Sequence, residues 1–254
     1  MKIVVVGGTG LIGSKLVINL TQHGHQAVAA SPRLGVNTMT GEGLAKVLKD
    51  AQVIVDVTNS PSFEEKAVLD FFRTSATNLL QYGVNAGVRH MVALSVVGTQ
   101  RLGESAYFRA KIAQENVISE GKVPYSIVQG TQFFEFLTGL ADSATQGDKV
   151  YMPPVFFQPM ASDDVATVVE RISVGPPANG TVEVAGPDKF RLDELIRRSL
   201  QAIGDLREVV ADPTALYFGA HLSENALLPE AGATLSGTHF DEWLAMSKRK
   251  NQSA

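Results

Sequence analysis

Tyr107 and Lys111 lie four residues apart in the stretch ESAYFRAKIAQENV, residues 104–117. On a helix that spacing puts both side chains on one face, so both can point at one spot. A free phenol has a pKa of about 10 and moves protons poorly at neutrality, but an ammonium group beside it favours the phenolate and brings it closer to the useful range. Ser95, in LSVVG, ends an apolar β-rich run, where its hydroxyl can hydrogen-bond a carbonyl. The other reading makes Tyr107 and Lys111 two ordinary residues on a partly exposed helix. What separates the readings is whether the rest of the chain builds a hydride-donor site beside them.

The elements that would position these groups alternate along the first half of the chain. KIVVV (2–6), QAVAA (26–30), VIVDV (53–57), HMVAL (90–94) and YSIVQ (125–129) read as buried strands. LIGSKLVINLTQHG, GEGLAKVLKDA, FEEKAVLDFFRTSATNLLQYGVNAG and SAYFRAKIAQENVISEG read as the intervening helices, most of them ending at glycine. Strand and helix in turn predict a parallel sheet covered on both faces, an α/β Rossmann doubly wound fold with ligands outside the carboxyl ends of the strands. From about residue 131 the rhythm changes. QFFEFLTGLADSA, SDDVATVVERI and RLDELIRRSLQAI look helical, DKVYMPPVFFQPM is strand and loop, and TVEVAG (181–186) reads as one more strand. With no linker or repeat between the halves, residues 1–254 are expected to form a single domain whose residues 131–254 contribute a small substrate lobe.

The first strand runs straight into glycines. Gly7, Gly8, Gly10 and Gly13, with Thr9, Leu11 and Ile12 among them, follow KIVVV and open the first helix. Such a loop gives a tight turn, a close backbone approach to a pyrophosphate and close helix packing, with the phosphate at the helix N-terminus. The acidic residue that would hold an adenosine ribose belongs about 20 residues further on, at the end of the second strand. That end reads AASPRLG, with Ser31 and Arg33 where an Asp or Glu would mark NAD. A guanidinium and a hydroxyl suit the 2′-phosphate of NADP, so NADP(H) is the expected cofactor; the other fate of Arg33 is a solvated loop charge. Thr58, Asn59 and Ser60, in DVTNSPS, either line the ribose or supply their own turn with hydrogen bonds.

Bulk composition excludes other classes. The 254 residues are 44% hydrophobic and 19% charged, the values of a globular chain. No run of about eighteen apolar residues would span a bilayer, and the N-terminus lacks the form of a signal peptide, so a cytoplasmic protein without membrane contact is expected. The absence of cysteine removes thiol chemistry, and the five histidines fall in no metal-binding spacing with carboxylates. A net charge of −4, with no Lys/Arg cluster beyond the KRK at 248–250, argues against a nucleic-acid partner.

GGTGLIGS, LSVVG, YFRAK followed by QEN, and YSIVQGTQFFEF together resemble the atypical short-chain dehydrogenase/reductases, in particular the NmrA-like NAD(P)H-binding group, and the similarity extends through EVAGPDKFRLDEL to GTHFDEWL. The resemblance implies strand order 3-2-1-4-5-6-7 and NADP in the glycine loop. It gives Tyr107 the role of proton donor, Lys111 a contact to the nicotinamide ribose, and Ser95 the carbonyl. TNSP stands where the group has Asn-Asn-Ala-Gly and keeps only Asn59; LSVVG has one serine where many relatives have two or three.

Gln132, Phe133 and Phe134 follow a strand where the chain should pass the nicotinamide, and Phe156, Phe157 and Met160 are placed opposite them. As a pocket wall these aromatics suit a small carbonyl or quinone-type substrate; the alternative is that they are core. The expected function is NADP-dependent hydride transfer to such an acceptor. The same family likeness also admits a non-catalytic NADP(H) sensor or a redox-neutral epimerase or lyase. Homo-oligomerisation is left open.

Overall fold

The computed structural model describes residues 1–252; Ser253 and Ala254, the end of the stretch assigned to the substrate lobe, lie outside the described residues. In chain order the first half contains β1 (Lys2–Val6), α1 (Leu11–Gln22), β2 (Gln26–Ala30), α2 (Leu44–Leu48), β3 (Val53–Asp56), α3 (Glu65–Ala86), β4 (His90–Val96), α4 (Ala106–Ser119) and β5 (Tyr125–Gly130). The second half adds α5 (Leu137–Ser143), β6 (Thr145–Gln146), β7 (Lys149–Met152), β8 (Phe156–Phe157), α6 (Ser162–Val174) and β9 (Gly180–Ala185). It closes with β10 (Phe190–Arg191), α7 (Leu192–Ala202), β11 (Glu208–Ala211), β12 (Thr234–Leu235) and α8 (Phe240–Gln252). Among the described residues no helix is long and apolar enough to cross a membrane.

The main sheet has seven parallel strands in the order β12-β9-β5-β4-β3-β1-β2. Its central strands β1, β3, β4 and β5 bury both faces, as alternation of strand and helix requires. Ile3 and Val5 pack with Leu16 and Leu20 of α1 and Val165 and Val169 of α6. Val4 and Val6 point the other way, onto Leu44 of α2 and Leu79 of α3. Pairing of Val6 with both Ala30 and Asp56, and of Val96 with Gly130, aligns the carboxyl ends of five neighbouring strands along one edge.

The order differs from the 3-2-1-4-5-6-7 implied by the family resemblance. Among the described residues no strand lies outside β2, which is the sheet edge and only partly buried rather than a buried strand. The chain after it turns through a 3-10 segment at Pro32–Leu34. Gly35, Gly41 and Gly43 then take left-handed φ of 75°, 81° and 74°, and Asn37 Oδ1 accepts from the Met39 N–H at 2.9 Å. Backbone held in successive left-handed turns cannot extend into a ladder strand. GEGLAKVLKDA accordingly shortens to the five residues of α2, and the seventh strand is β12 at the opposite edge.

The C-terminal elements build their own core around Phe134, Phe157, Leu192, Leu195 and Phe240. β11, β7 and β6 form a small sheet, and β10 pairs with β8. Glu135 ties this lobe together: its carboxylate accepts from the Ser162 hydroxyl at 2.6 Å and from the Trp243 indole of α8 at 3.1 Å.

Candidate active site

A cavity of about 910 Å³ opens across the carboxyl ends of β2, β1, β3, β4 and β5. One end is floored by the glycine loop. Gly7 has φ 81°, and a Cβ there would sit 3.0 Å from the Val57 carbonyl oxygen. A Cβ on Gly13 would come within 2.2 Å of the Gly7 oxygen, so α1 packs against the loop at a distance only glycine permits. Gly10 caps α1 without a side-chain hydrogen bond, and no acidic residue lies in the first turn. Its free N–H groups and the positive end of the helix dipole are therefore available to a phosphate. Ser31 Oγ, at the end of β2, is buried without a partner and lines the same cavity. A dinucleotide fits this cradle: glycines where a side chain would block it, uncapped amides, and an orphaned hydroxyl. We expect Gly13→Val to weaken binding of a nicotinamide dinucleotide at least tenfold, because the added side chain must push α1 off the loop; titration of the reduced dinucleotide's fluorescence measures it.

Tyr107, Lys111 and Ser95 line the same cavity. Lys111 is 2% exposed and donates to the Leu94 carbonyl at 3.0 Å and to the Gln114 amide oxygen. Gln114 in turn donates to Asp56 at 2.9 Å. Burial pushes the Lys111 ammonium down to about 8, against the pull of the Asp56 and Glu115 carboxylates. The Tyr107 ring is wedged among Phe63, Phe72, Phe108 and Phe218 at centroid distances of 5.6, 6.0, 5.5 and 5.9 Å. Part of its surface faces the cavity, yet the surrounding rings desolvate the phenol and push it up to about 12. The shift runs opposite to the expected lowering: its one cause is burial, and the Lys111 ammonium does not enter it. Ser95 donates its proton to Glu115, which also accepts from Gln129 at 2.9 Å.

The remaining sequence-derived residues divide. Gly7, Thr9, Gly10, Leu11 and Ile12 line the cavity, as do Thr58, Asn59, Gln132 and Phe133. Thr58 nevertheless spends its hydroxyl on Asp56 at 2.7 Å, and Ser60 is buried, donating to the Ser62 carbonyl at 2.7 Å. The turn takes up these two hydroxyls for its own hydrogen bonds. Arg33 sits exposed on the 3-10 turn beside Ser31 and does not line the cavity. Phe134, Phe157 and Met160 are core, 1%, 0% and 0% exposed, because the lobe needs large apolar groups under α8 and behind β5. Phe156 packs under Lys189, whose ammonium lies 3.6 Å from the ring centroid.

Other residues form the wall in their place. Phe63 and Phe108 pack around Tyr107 together with Phe218, which with Tyr217 comes from a loop that carries no motif, and Phe136 lines the cavity against Phe133. Among the described residues lining the cavity, Lys111 is the one that carries charge. A legible signal for the buried network did exist. Tyr107, Lys111, Gln114 and Glu115 recur at i, i+4, i+7 and i+8 on α4, the spacing of a single helix face.

No protein-family model matches the chain, so the likeness to NmrA-like proteins rests on the motifs alone. The photosystem II assembly factor Ycf39 of Synechocystis sp. is 21% identical over 236 residues, 85% of this chain and 72% of that protein. A short-chain dehydrogenase/reductase superfamily protein from Agrobacterium tumefaciens, solved with bound NAD, superposes with TM-score 0.74 at 16% identity, covering 100% of this chain and 98% of its own. A dTDP-4-dehydrorhamnose reductase from Clostridium acetobutylicum superposes with TM-score 0.71 at 14% identity over the whole of both chains. At these identities the solved structures establish the fold, a Rossmann-like α/β domain.

Proposed function

We propose that the protein is an NADP-dependent reductase of a small apolar or aromatic carbonyl compound or quinone. The observation that carries this reading is one continuous cavity holding the glycine cradle, Tyr107 and Lys111 between aromatic walls. NADPH, when bound, supplies the hydride. The glycine loop and the start of α1 hold its pyrophosphate; Lys111 fixes the ribose beside Tyr107. The Tyr107 phenol, neutral throughout the physiological range, donates its proton to the alkoxide oxygen that forms at the substrate. Aromatic walls exclude water, which strengthens each electrostatic contact inside. Lys111 is the sole cation among the described lining residues, which favours a small substrate over a nucleoside-diphosphate sugar with its two phosphates.

The absence of any carboxylate from the lining supports NADP over NAD, and Arg33 stands two residues beyond the orphaned Ser31 hydroxyl. We expect Arg33→Ala to weaken NADPH binding about tenfold, or about 1.4 kcal/mol, with NADH binding unchanged. Equal wild-type affinity for NADH and NADPH would remove the preference. The pH profile carries a second expectation. Tyr107 stays protonated up to about 12, so it does not limit reduction near neutrality. Lys111 loses its proton as pH rises through about 8, so kcat should be level below that point and fall above it. A profile flat to pH of about 10 would take the charged lysine out of the rate-limiting step.

The test of the reading is NADPH consumption with benzaldehyde, acetophenone and 1,4-naphthoquinone, set against UDP-glucose and a dTDP-4-keto sugar. Turnover of the aromatic compounds supports it. Turnover of the nucleotide sugars alone would overturn the substrate class.

A further inference from the structure

A carbonyl oxygen bound for reduction needs hydrogen-bond donors, and Ser95 is poorly placed to be one. Its proton goes to Glu115, whose carboxylate is held in turn by Gln129, with Gln129 also donating to Thr99 at 3.0 Å. What Ser95 offers the cavity is a lone pair. Two other donors line the same cavity. Gln132 lines the cavity, and its Oε1 and Nε2 are both buried with no hydrogen-bond partner of normal geometry, although the amide approaches the Tyr217 hydroxyl. A buried amide left unmatched is costly and is most often explained by something that completes it. The backbone of Gln132 is pinned, since its carbonyl accepts from the Met160 N–H at 2.9 Å.

Tyr217 is held with equal firmness. It exchanges two backbone hydrogen bonds with Ala220, at 2.9 and 3.0 Å, across a two-residue turn formed by Phe218 at φ 49° and Gly219 at φ 82°. Paired left-handed residues make the tight turn of a hairpin, but a bulky aromatic in the first position is a strained choice. Strain of this kind persists where the surroundings over-determine it, and it concentrates at binding sites. Here Phe218 stacks on Tyr107 with an interplanar angle of 29°, while Tyr217 turns inward, 4% exposed, with its ring 6.5 Å from Phe108. Burial and the neighbouring Tyr107 phenol push the Tyr217 phenol upward, so it remains a protonated donor.

We infer that Gln132 and Tyr217 form the carbonyl-binding pair of this cavity, donating from Nε2 and from the phenol to the oxygen of a planar aromatic carbonyl compound. The inference rests on the reductase reading for its ligand class. Tyr107 then protonates an oxygen that the pair holds in place, and Phe218 fixes both tyrosines at once. Tyr217 and Gln132 are specificity-determining and positioning groups, with the proton transfer left to Tyr107.

Equilibrium dialysis on the NADP⁺ complex, where no reduction occurs, tests it with 1,4-naphthoquinone and its oxygen-free counterpart naphthalene. The chain has no cysteine to trap a quinone. We expect the wild type to prefer naphthoquinone at least tenfold, and Gln132→Met and Tyr217→Phe each to lower that preference at least threefold. Naphthalene and NADP⁺ affinities should hold within twofold. The inference is overturned if either variant keeps the full preference, if both ligands weaken equally, or if the wild type shows no preference. The reductase reading is decided separately by NADPH consumption, so a preference that depends on the pair without turnover would leave the pair standing and remove the reductase.

Discussion

Tyr107→Phe is expected to lower kcat for an aromatic aldehyde at least a hundredfold, about 2.7 kcal/mol of barrier, with the dissociation constant of NADPH unchanged within twofold. The separation of effects follows from what the hydroxyl touches. The ring supplies all of the packing against Phe63, Phe72, Phe108 and Phe218, and phenylalanine keeps it. Burial is the one cause of the shift in the phenol, which makes no hydrogen bond to other described residues, so removing it deprives no protein group of a partner. Its one remaining use is the proton. A loss confined to KM would mean that Tyr107 binds without reacting; a loss of thermal stability of several degrees would make it a structural residue.

The second large effect falls on stability. Lys111→Met is expected to cost about 3–5 kcal/mol, measured by urea unfolding, even though methionine fills a similar volume. The ammonium lies 4.4 Å from the Phe72 ring centroid, satisfies the Leu94 carbonyl and the Gln114 amide oxygen, and offsets the buried carboxylates of Asp56 and Glu115, 1% and 7% exposed. Substitution leaves two acceptors unpaired and two acids without their cation. Arginine should not rescue it, because its planar fork does not fit where a compact ammonium donates at 3.0 Å to Leu94 and beneath the same ring. A cost below about 1 kcal/mol would mean that the Asp56 and Glu115 network is held by its own hydrogen bonds and that Lys111 is retained for another reason.

Which parts of this site are legible from sequence follows the range of the interactions. The glycine loop is local: tight turn, uncapped helix start and close packing of Gly13 on Gly7 all lie within seven residues, so the pattern carries them. Strand and helix alternation is also local, and it yields the doubly wound sheet. The missing strand outside β2 is decided by left-handed backbone at Gly35, Gly41 and Gly43, which composition signals only as a loop. Aromatics fail as markers because packing and ligand walls ask for the same side chains. Phe133 faces the cavity while its neighbour Phe134 lies in the lobe core, and no local rule separates the two. Phe218 reaches Tyr107 across more than a hundred residues of chain, and the turn that carries it rests on an unfavourable φ at Phe218 itself that no propensity would suggest.

Incubation with NADPH deuterated at the nicotinamide C4, followed by mass spectrometry of the alcohol formed from an aromatic aldehyde, addresses hydride transfer most directly. One deuterium on the carbinol carbon for each NADP⁺ formed is the expected result. NADPH bound but unconsumed, with its label intact across the carbonyl panel, would contradict the reductase and leave a protein that holds the dinucleotide without reacting it.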